Sequence, residues 1–314
     1  MNASWYAPEG EYCKDHTVIE REGLFHPFSI SGTAGTSWYY TDSESKLSHS
    51  VSADLRNWEF RGHVLAARGE LAADPAGHHT WREDKVWAPH CIEADGTYHM
   101  FYTAVEHDHV ARDEFDLDSG LKGHVERICV ATSTDLQHWT ASPTPVFEET
   151  AESSAQPGRA LRDPMVLRDE DRGIWVMYVT MLTAESRNAV GVLISTDLTA
   201  WSFERFAYVE PLGAEISTES PFVTKAGDAF FLFMNEGYAV SDNALGVFGG
   251  LRRYSGDLPG WGAGENLMLD GVLRRSLIGG APLIRENGTR YGGQVALFDL
   301  DIQTDGVSIS PFTG

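Results

Sequence analysis

Ser52-Ala53-Asp54-Leu55-Arg56-Asn57-Trp58, Ser133-Thr134-Asp135-Leu136-Gln137-His138-Trp139 and Ser195-Thr196-Asp197-Leu198-Thr199-Ala200-Trp201 are three copies of one phrase, S-x-D-L-x-x-W. Self-similarity at long intervals marks an architecture assembled from repeated supersecondary units. Each copy follows a run of strand-forming residues, for example Arg127-Ile128-Cys129-Val130-Ala131-Thr132, which places the phrase on the turn toward an outer strand. There the Asp bonds turn amides and the Trp packs between neighbouring units. That structural role removes Asp54, Asp135 and Asp197 from the catalytic candidates.

A second repeat runs in step with the first. A polar residue or a proline opens an apolar strand, a Gly or Asp turn follows, and an aromatic strand answers. Ala88-Pro89-His90 with Asp95-Gly96 and Tyr98 to Tyr102 is one unit, and Asp163-Pro164-Met165 with Gly173 to Tyr178 is another. Ser220-Pro221-Phe222 is answered by Phe230 to Phe233, and Ala281-Pro282-Leu283 by Tyr291; a degenerate first copy is Asp15-His16-Thr17 with Gly23 to Phe28. Taking His16, Pro89, Pro164, Pro221 and Pro282 as equivalent gives intervals of 73, 75, 57 and 61 residues, each enough for a four-stranded sheet with its loops. Short runs rich in Val, Ile, Phe, Tyr and Trp between Gly and Asp turns read as antiparallel strands. Helical periodicity is nearly absent. The expectation is an all-β, five-bladed β-propeller of four-stranded antiparallel blades, forming one domain over residues 1–314, with longer loops near 61–86, 104–124 and 148–160.

Composition agrees with a folded chain of this size. Hydrophobic residues make up 42% and charged ones 22% of the 314 residues, so a large core is available. With 46 acidic against 24 basic residues the net charge is −22, which repels phosphate backbones and anionic membranes; nucleic acid and membrane are excluded as partners. Cys13, Cys91 and Cys129 lie far apart and form no paired framework, so they read as buried free thiols. Without a basic n-region, an apolar h-region or a long apolar stretch, the expected location is the cytoplasm.

Inner strands of a propeller converge on its axis, so residues that open them gather at one mouth of the channel. Asp15 in the first blade, Asp163 in the third and Glu219 in the fourth bring three carboxylates there, with Arg162, Trp87 and His90 beside them. Two carboxylates across a cavity are what glycosidic hydrolysis needs: one protonates the leaving oxygen, and the other activates water or attacks the anomeric carbon. Arg162 orients a carboxylate or holds sugar hydroxyls. Trp87 offers a stacking face and His90 a hydroxyl contact. The stretch Glu106-His107-Asp108-His109, followed by Asp113, Asp116 and Asp118, looks like a metal site but fits no ligand spacing, and reads as a solvated acidic loop.

These residues resemble the five-bladed glycoside hydrolases of families 43 and 32, with the related families 62, 68, 117 and 130, and the resemblance spans the chain. Arg162-Asp163-Pro164 is similar to the R-D-P motif of family 32 and to the blade-three Asp of family 43 that tunes the acid. Glu219-Ser220-Pro221 resembles the motif carrying the general acid. Asp15 matches the blade-one Asp, which is the base in family 43 and the nucleophile in family 32. Blade one reads Lys14-Asp15-His16 where Asp-Pro is usual, and Trp87-Ala88-Pro89 is more like family 43. The blade-five histidine that serves an axial ion in family 43 is not matched by Gly279-Gly280-Ala281-Pro282, so no metal and no cofactor is expected. The resemblance implies a hydrolase removing a terminal furanose or pentose, of arabinofuranose, xylose or fructose type, from a small oligosaccharide. A family 130-like phosphorylase and an inactive sugar-binding propeller are the alternatives.

Overall fold

The computed structural model describes residues 6–34, 43–71, 81–106, 125–150, 154, 158–213, 218–235, 237–254, 260–269, 272–279, 283–284, 290–291, 293–303 and 306–311. They form five four-stranded antiparallel sheets, and no helix occurs among them. Blade one is β1 (Glu11–Arg21), β2 (Leu24–Thr33), β3 (Lys46–Val51) and β4 (Glu59–Ala66). A hairpin, β5 (Gly69–Leu71) with β6 (Trp81–Glu83), leads to blade two: β7 (Lys85–Ala94), β8 (Thr97–Glu106), β9 (Val125–Ser133) and β10 (Thr140–Ala141). Blade three is β11 (Arg162–Asp169), β12 (Ile174–Leu182), β13 (Asn188–Ser195) and β14 (Ser202–Val209). Blade four is β15 (Phe222–Ala226), β16 (Ala229–Met234), β17 (Gly237–Ser241) and β18 (Gly249–Arg253). Thus part of the 61–86 stretch expected as loop is strand.

Local chemistry sets the hairpins. Ala94 pairs with Thr97 across Asp95-Gly96, and both turn residues have positive φ, 51° and 76°, as the tight turn matched to strand twist requires. Glu22-Gly23 closes β1 on β2 in the same way, at 54° and 77°. The three S-x-D-L-x-x-W copies fold alike. Asp135 Oδ1 accepts the amides of Gln137 and His138, each at 2.8 Å, and Asp54 and Asp197 repeat the pattern. Trp139 of blade two packs edge-on against Phe28 of blade one, and Trp201 of blade three against Phe101 of blade two, each with centroids 5.6 Å apart. Hydrophobic clusters therefore lie between blades rather than inside them. One joins blades one and two through Phe28, Leu47, Trp87 and Tyr102, and another joins one and five through Val18, Leu55 and Leu297. The last of these closes the ring.

Blade five differs from expectation. Its inner strand is β19 (Gly260–Leu269), paired to β20 (Val272–Gly279), then β23 (Gln294–Ile302) and β24 (Val307–Pro311). The opener placed at Ala281-Pro282 is thus not the start of a blade. Those two residues lie outside the described ones, and the strand after them, β21 (Leu283–Ile284), pairs only with β22 (Arg290–Tyr291) in a hairpin inserted between β20 and β23. Ala263-Gly264 takes the opener's place without a proline.

The axial positions share one device. Pairing slips between Cys13 and His16, Trp87 and His90, Arg162 and Met165, and Gly262 and Glu265, so four inner strands bulge at the same level. Ala88, Asp163, Ser220 and Ala263 all have positive φ, from 43° to 60°. A bulge re-aims side chains and bends the strand, and here it directs one residue of each blade toward the axis.

A candidate active site on the propeller axis

Asp15, Ala88, Asp163, Ser220 and Ala263 line a small cavity of about 40 Å³, together with His16, His90, Phe222 and Glu265. Ser220 joins two of the acids. Its hydroxyl donates to Asp15 Oδ1 at 3.1 Å and its amide to Asp163 Oδ2 at 3.0 Å. Thr180 Oγ1 donates to the same Asp163 oxygen at 2.9 Å, and the Asp163 amide donates to Thr103 Oγ1 at 3.1 Å. Asp163, with a side chain 10% exposed, is therefore held by four residues of blades two, three and four, including Arg162 at 3.8 Å. Serine 220, the blade-four counterpart of Asp163 in the repeat, was legible only as a strand opener.

Glu219 stands differently from the two aspartates. Its side chain is 42% exposed and lies beside the cavity rather than on its wall, in an ion pair with Arg162. Although Glu219 was expected to open the inner strand of blade four, β15 begins only at Phe222, so Glu219 sits on the approach. Arg162 also meets Glu126 of β9, Nη1 to Oε2, at 3.6 Å. Burial disfavours the guanidinium charge, yet Glu126, Glu219 and Asp163 more than offset it and raise the Arg162 pKa above its ordinary value.

Burial raises Asp15 above the usual carboxylate range; the ammonium of Lys14 opposes this, and the charge of Glu219 adds to it. Asp163 is pushed up to about 7, first by burial and then by the charge of Asp15. Two carboxylates this close to each other cannot both ionise easily.

Trp87 packs into the core between blades one and two, with Lys14 Nζ 5.5 Å above its ring. His90 lines the cavity, where Nε2 donates to the Val166 carbonyl at 3.0 Å and Nδ1 faces Glu265 at 3.3 Å. Both ring nitrogens thus face protein groups. Glu265 also accepts Thr17 Oγ1 at 2.8 Å and the Val18 amide at 2.5 Å. Glu265 is thus engaged by a hydroxyl, a backbone amide and the His90 ring. Among the described residues no three His, Cys, Asp or Glu gather as a metal site. The His107–Asp118 stretch lies outside the described residues.

The family model for glycosyl hydrolases family 43 matches residues 21–259, which takes in Arg162, Asp163 and Glu219 but begins after Asp15. No match was found among curated proteins. The fold is similar to that of a family-32 β-fructofuranosidase of Bombyx mori, at 15% identity and a TM-score of 0.71, covering 100% of this chain and 66% of that one. It is also similar to a thermostable family-43 glycoside hydrolase, at 18% identity and a TM-score of 0.66, covering 97% and 96% of the two chains. A β-xylosidase/α-arabinofuranosidase of family 43 from a compost microbial metagenome, solved with xylotriose, aligns at 15% identity and a TM-score of 0.65 over 96% and 94%. At these identities the solved structures establish the five-bladed fold, and the family model establishes descent: the chain belongs to the glycosyl hydrolases of family 43 and is a glycoside hydrolase.

Proposed function

We propose that this hydrolase removes a terminal pentose, arabinofuranose or xylose, from a short oligosaccharide, with Glu219 as general acid, Asp15 as general base and Asp163 tuning the acid. The observation that carries this reading is the meeting of carboxylates from blades one, three and four around Ser220 and Arg162. Support for a pentose comes from the family-43 match and from the xylosidase/arabinofuranosidase with the same fold.

The division of labour follows from exposure. A proton donor must reach the glycosidic oxygen of an entering substrate, and Glu219 is the open carboxylate of the three. A base needs a fixed orientation toward one water, and Asp15 is fixed by Ser220. Water activated on one face while the leaving group is protonated from the other gives inversion at the anomeric carbon. Asp15 must be ionised to accept the proton, so its raised pKa sets the ascending limb of activity above the range of a free aspartate. A phosphorylase mouth would hold its anion with cations in place of a second carboxylate; the mouth here is dominated by acids, which favours hydrolysis.

Glu219→Gln tests the assignment. Turnover of a xylo- or arabino-oligosaccharide, whose leaving group needs protonation, is expected to fall by roughly 10² to 10⁴. Turnover of a 4-nitrophenyl pentoside is expected to fall much less. Equal, small losses on both would remove Glu219 from the acid role.

A further inference from the structure

Arg162 is the cation at the centre of this acidic mouth, and one of its partners, Glu126, is not among the three expected site carboxylates. Glu126, at the mouth end of β9, is 2% exposed and supports the Arg162 charge together with Glu219 and Asp163. The guanidinium is thereby divided. Nη1 faces Glu126 at 3.6 Å, Nε faces Asp163 at 3.8 Å, and Nη2 is left for Glu219. This arrangement matters because a lone guanidinium against the general acid would hold that acid ionised, the wrong state for donating a proton.

We propose that Glu126 is a positioning residue for the hydrolytic reaction: it turns Arg162 toward itself and neutralises part of its charge, so that Glu219 can carry a proton in the working enzyme. The inference rests on Glu219 being the general acid. Other charges act on the same cluster. Asp15 acts on Asp163 from blade one and is itself opposed by Lys14, and Glu149 faces Glu126 from the segment after β10. Glu149 is buried and pushed up to about 7, by burial first and by the charge of Glu126 after the opposing Gly158 amide. Glu126 is the carboxylate that reaches Arg162 on this side. Asp163 is already fixed through Thr180 and Ser220, so the change on losing Glu126 falls on the half-exposed Glu219.

The pH dependence of kcat/KM for a xylo- or arabino-oligosaccharide, measured on Glu126→Gln, tests this. The descending limb reports the acid in the free enzyme. It is expected to move about one pH unit lower, which above the limb is about a tenfold loss. The ascending limb should stay in place, and a 4-nitrophenyl pentoside should respond little. Glu126→Asp, which keeps the charge but withdraws it, should give a smaller shift in the same direction and decides the matter if the Gln variant does not fold. In a Glu219→Gln background the effect should vanish. A uniform loss at every pH, or an unmoved descending limb, overturns the role of Glu126 while leaving Glu219 as the acid. If Glu219→Gln itself fails to separate the two substrates, the acid assignment falls and the proposal with it.

Discussion

Asp163 occupies a backbone conformation with φ of 60°, which a non-glycine residue adopts at a cost and which Asp and Asn tolerate better than most. Its carboxyl is pushed up to about 7, against 3.8 for a free aspartate. The folded chain thus holds this proton more tightly than the unfolded chain. The stabilising difference is complete below about pH 4 and is lost as pH rises to about 7, beyond which it stays lost. Asp163→Asn keeps the backbone preference and an acceptor for Thr180, and removes the ionisation. Its melting temperature relative to wild type should therefore climb between pH 4 and pH 7 and level off above. The gain at pH 8 is of order 2–4 kcal/mol, an upper figure because the group is coupled to Asp15. Thermal melts across this pH range check it; a constant difference would mean that Asp163 ionises normally. Activity should fall in the same variant if Asp163 tunes Glu219.

At the scale of elements, the blades are fastened by aromatic residues that end the S-x-D-L-x-x-W turns. Trp201 is buried among Phe101, Leu193 and Leu198 between blades two and three, and its Nε1 donates to the Leu198 carbonyl at 3.2 Å. Truncation to Ala leaves a cavity that two sheets cannot close by collapse, and is expected to cost about 3–5 kcal/mol, seen as a lowered denaturation midpoint at all pH values. Trp201→Phe should recover a large part of the loss. In blade five, β19 approaches β20 closely enough that a Cβ on Gly264 would strike the guanidinium of Arg275. Arg275 is fully buried, bonds Asn266 Oδ1 at 2.7 Å and lies 4.8 Å from the Phe233 ring centre. Gly264→Ala should therefore displace a buried cation and lower the melting temperature, whereas Gly249→Ala, with open space around it, should not.

At the scale of the whole molecule, the ring is closed where the first and last blades meet. Glu265 of β19 takes the Val18 amide and the Thr17 hydroxyl of β1, His16 Nε2 meets Ser276 Oγ at 2.6 Å, and Tyr6 and Cys13 bridge to Val295 and Gly293. Asp15 is the immediate neighbour of His16 in this seam. Glu265→Ala would strand a buried amide and hydroxyl, a loss of about 2–5 kcal/mol. Faster hydrogen exchange is expected in β1 and β19 together, with β12 and β13 unchanged. Loss confined to β19 would show that the seam does not bind the blades as a unit.

Much of this architecture was legible because repetition converts a weak local signal into a strong one. Three copies of S-x-D-L-x-x-W, Asp-Gly turns and proline-opened strands follow from backbone chemistry that acts within a few residues, and they specify blade order and the outward turns. The same logic failed at Ala281-Pro282, because an inserted hairpin carries the X-Pro signal while the true opener, Ala263-Gly264, has none. The repeat also named Asp15, Arg162, Asp163 and Glu219 as neighbours, since equivalent positions in a closed ring must converge. It could not order them by exposure, nor find Ser220 as the bridge between two acids or Glu126 behind Arg162. Those roles depend on distances between side chains some 36 to 205 residues apart in the chain, and on how much water each keeps. The sequence by itself determined the repeat, the blade chemistry and the residues that point to the axis; only the closed ring decided which carboxylate is buried, which is open and which shares the one arginine, because burial and charge coupling act through space.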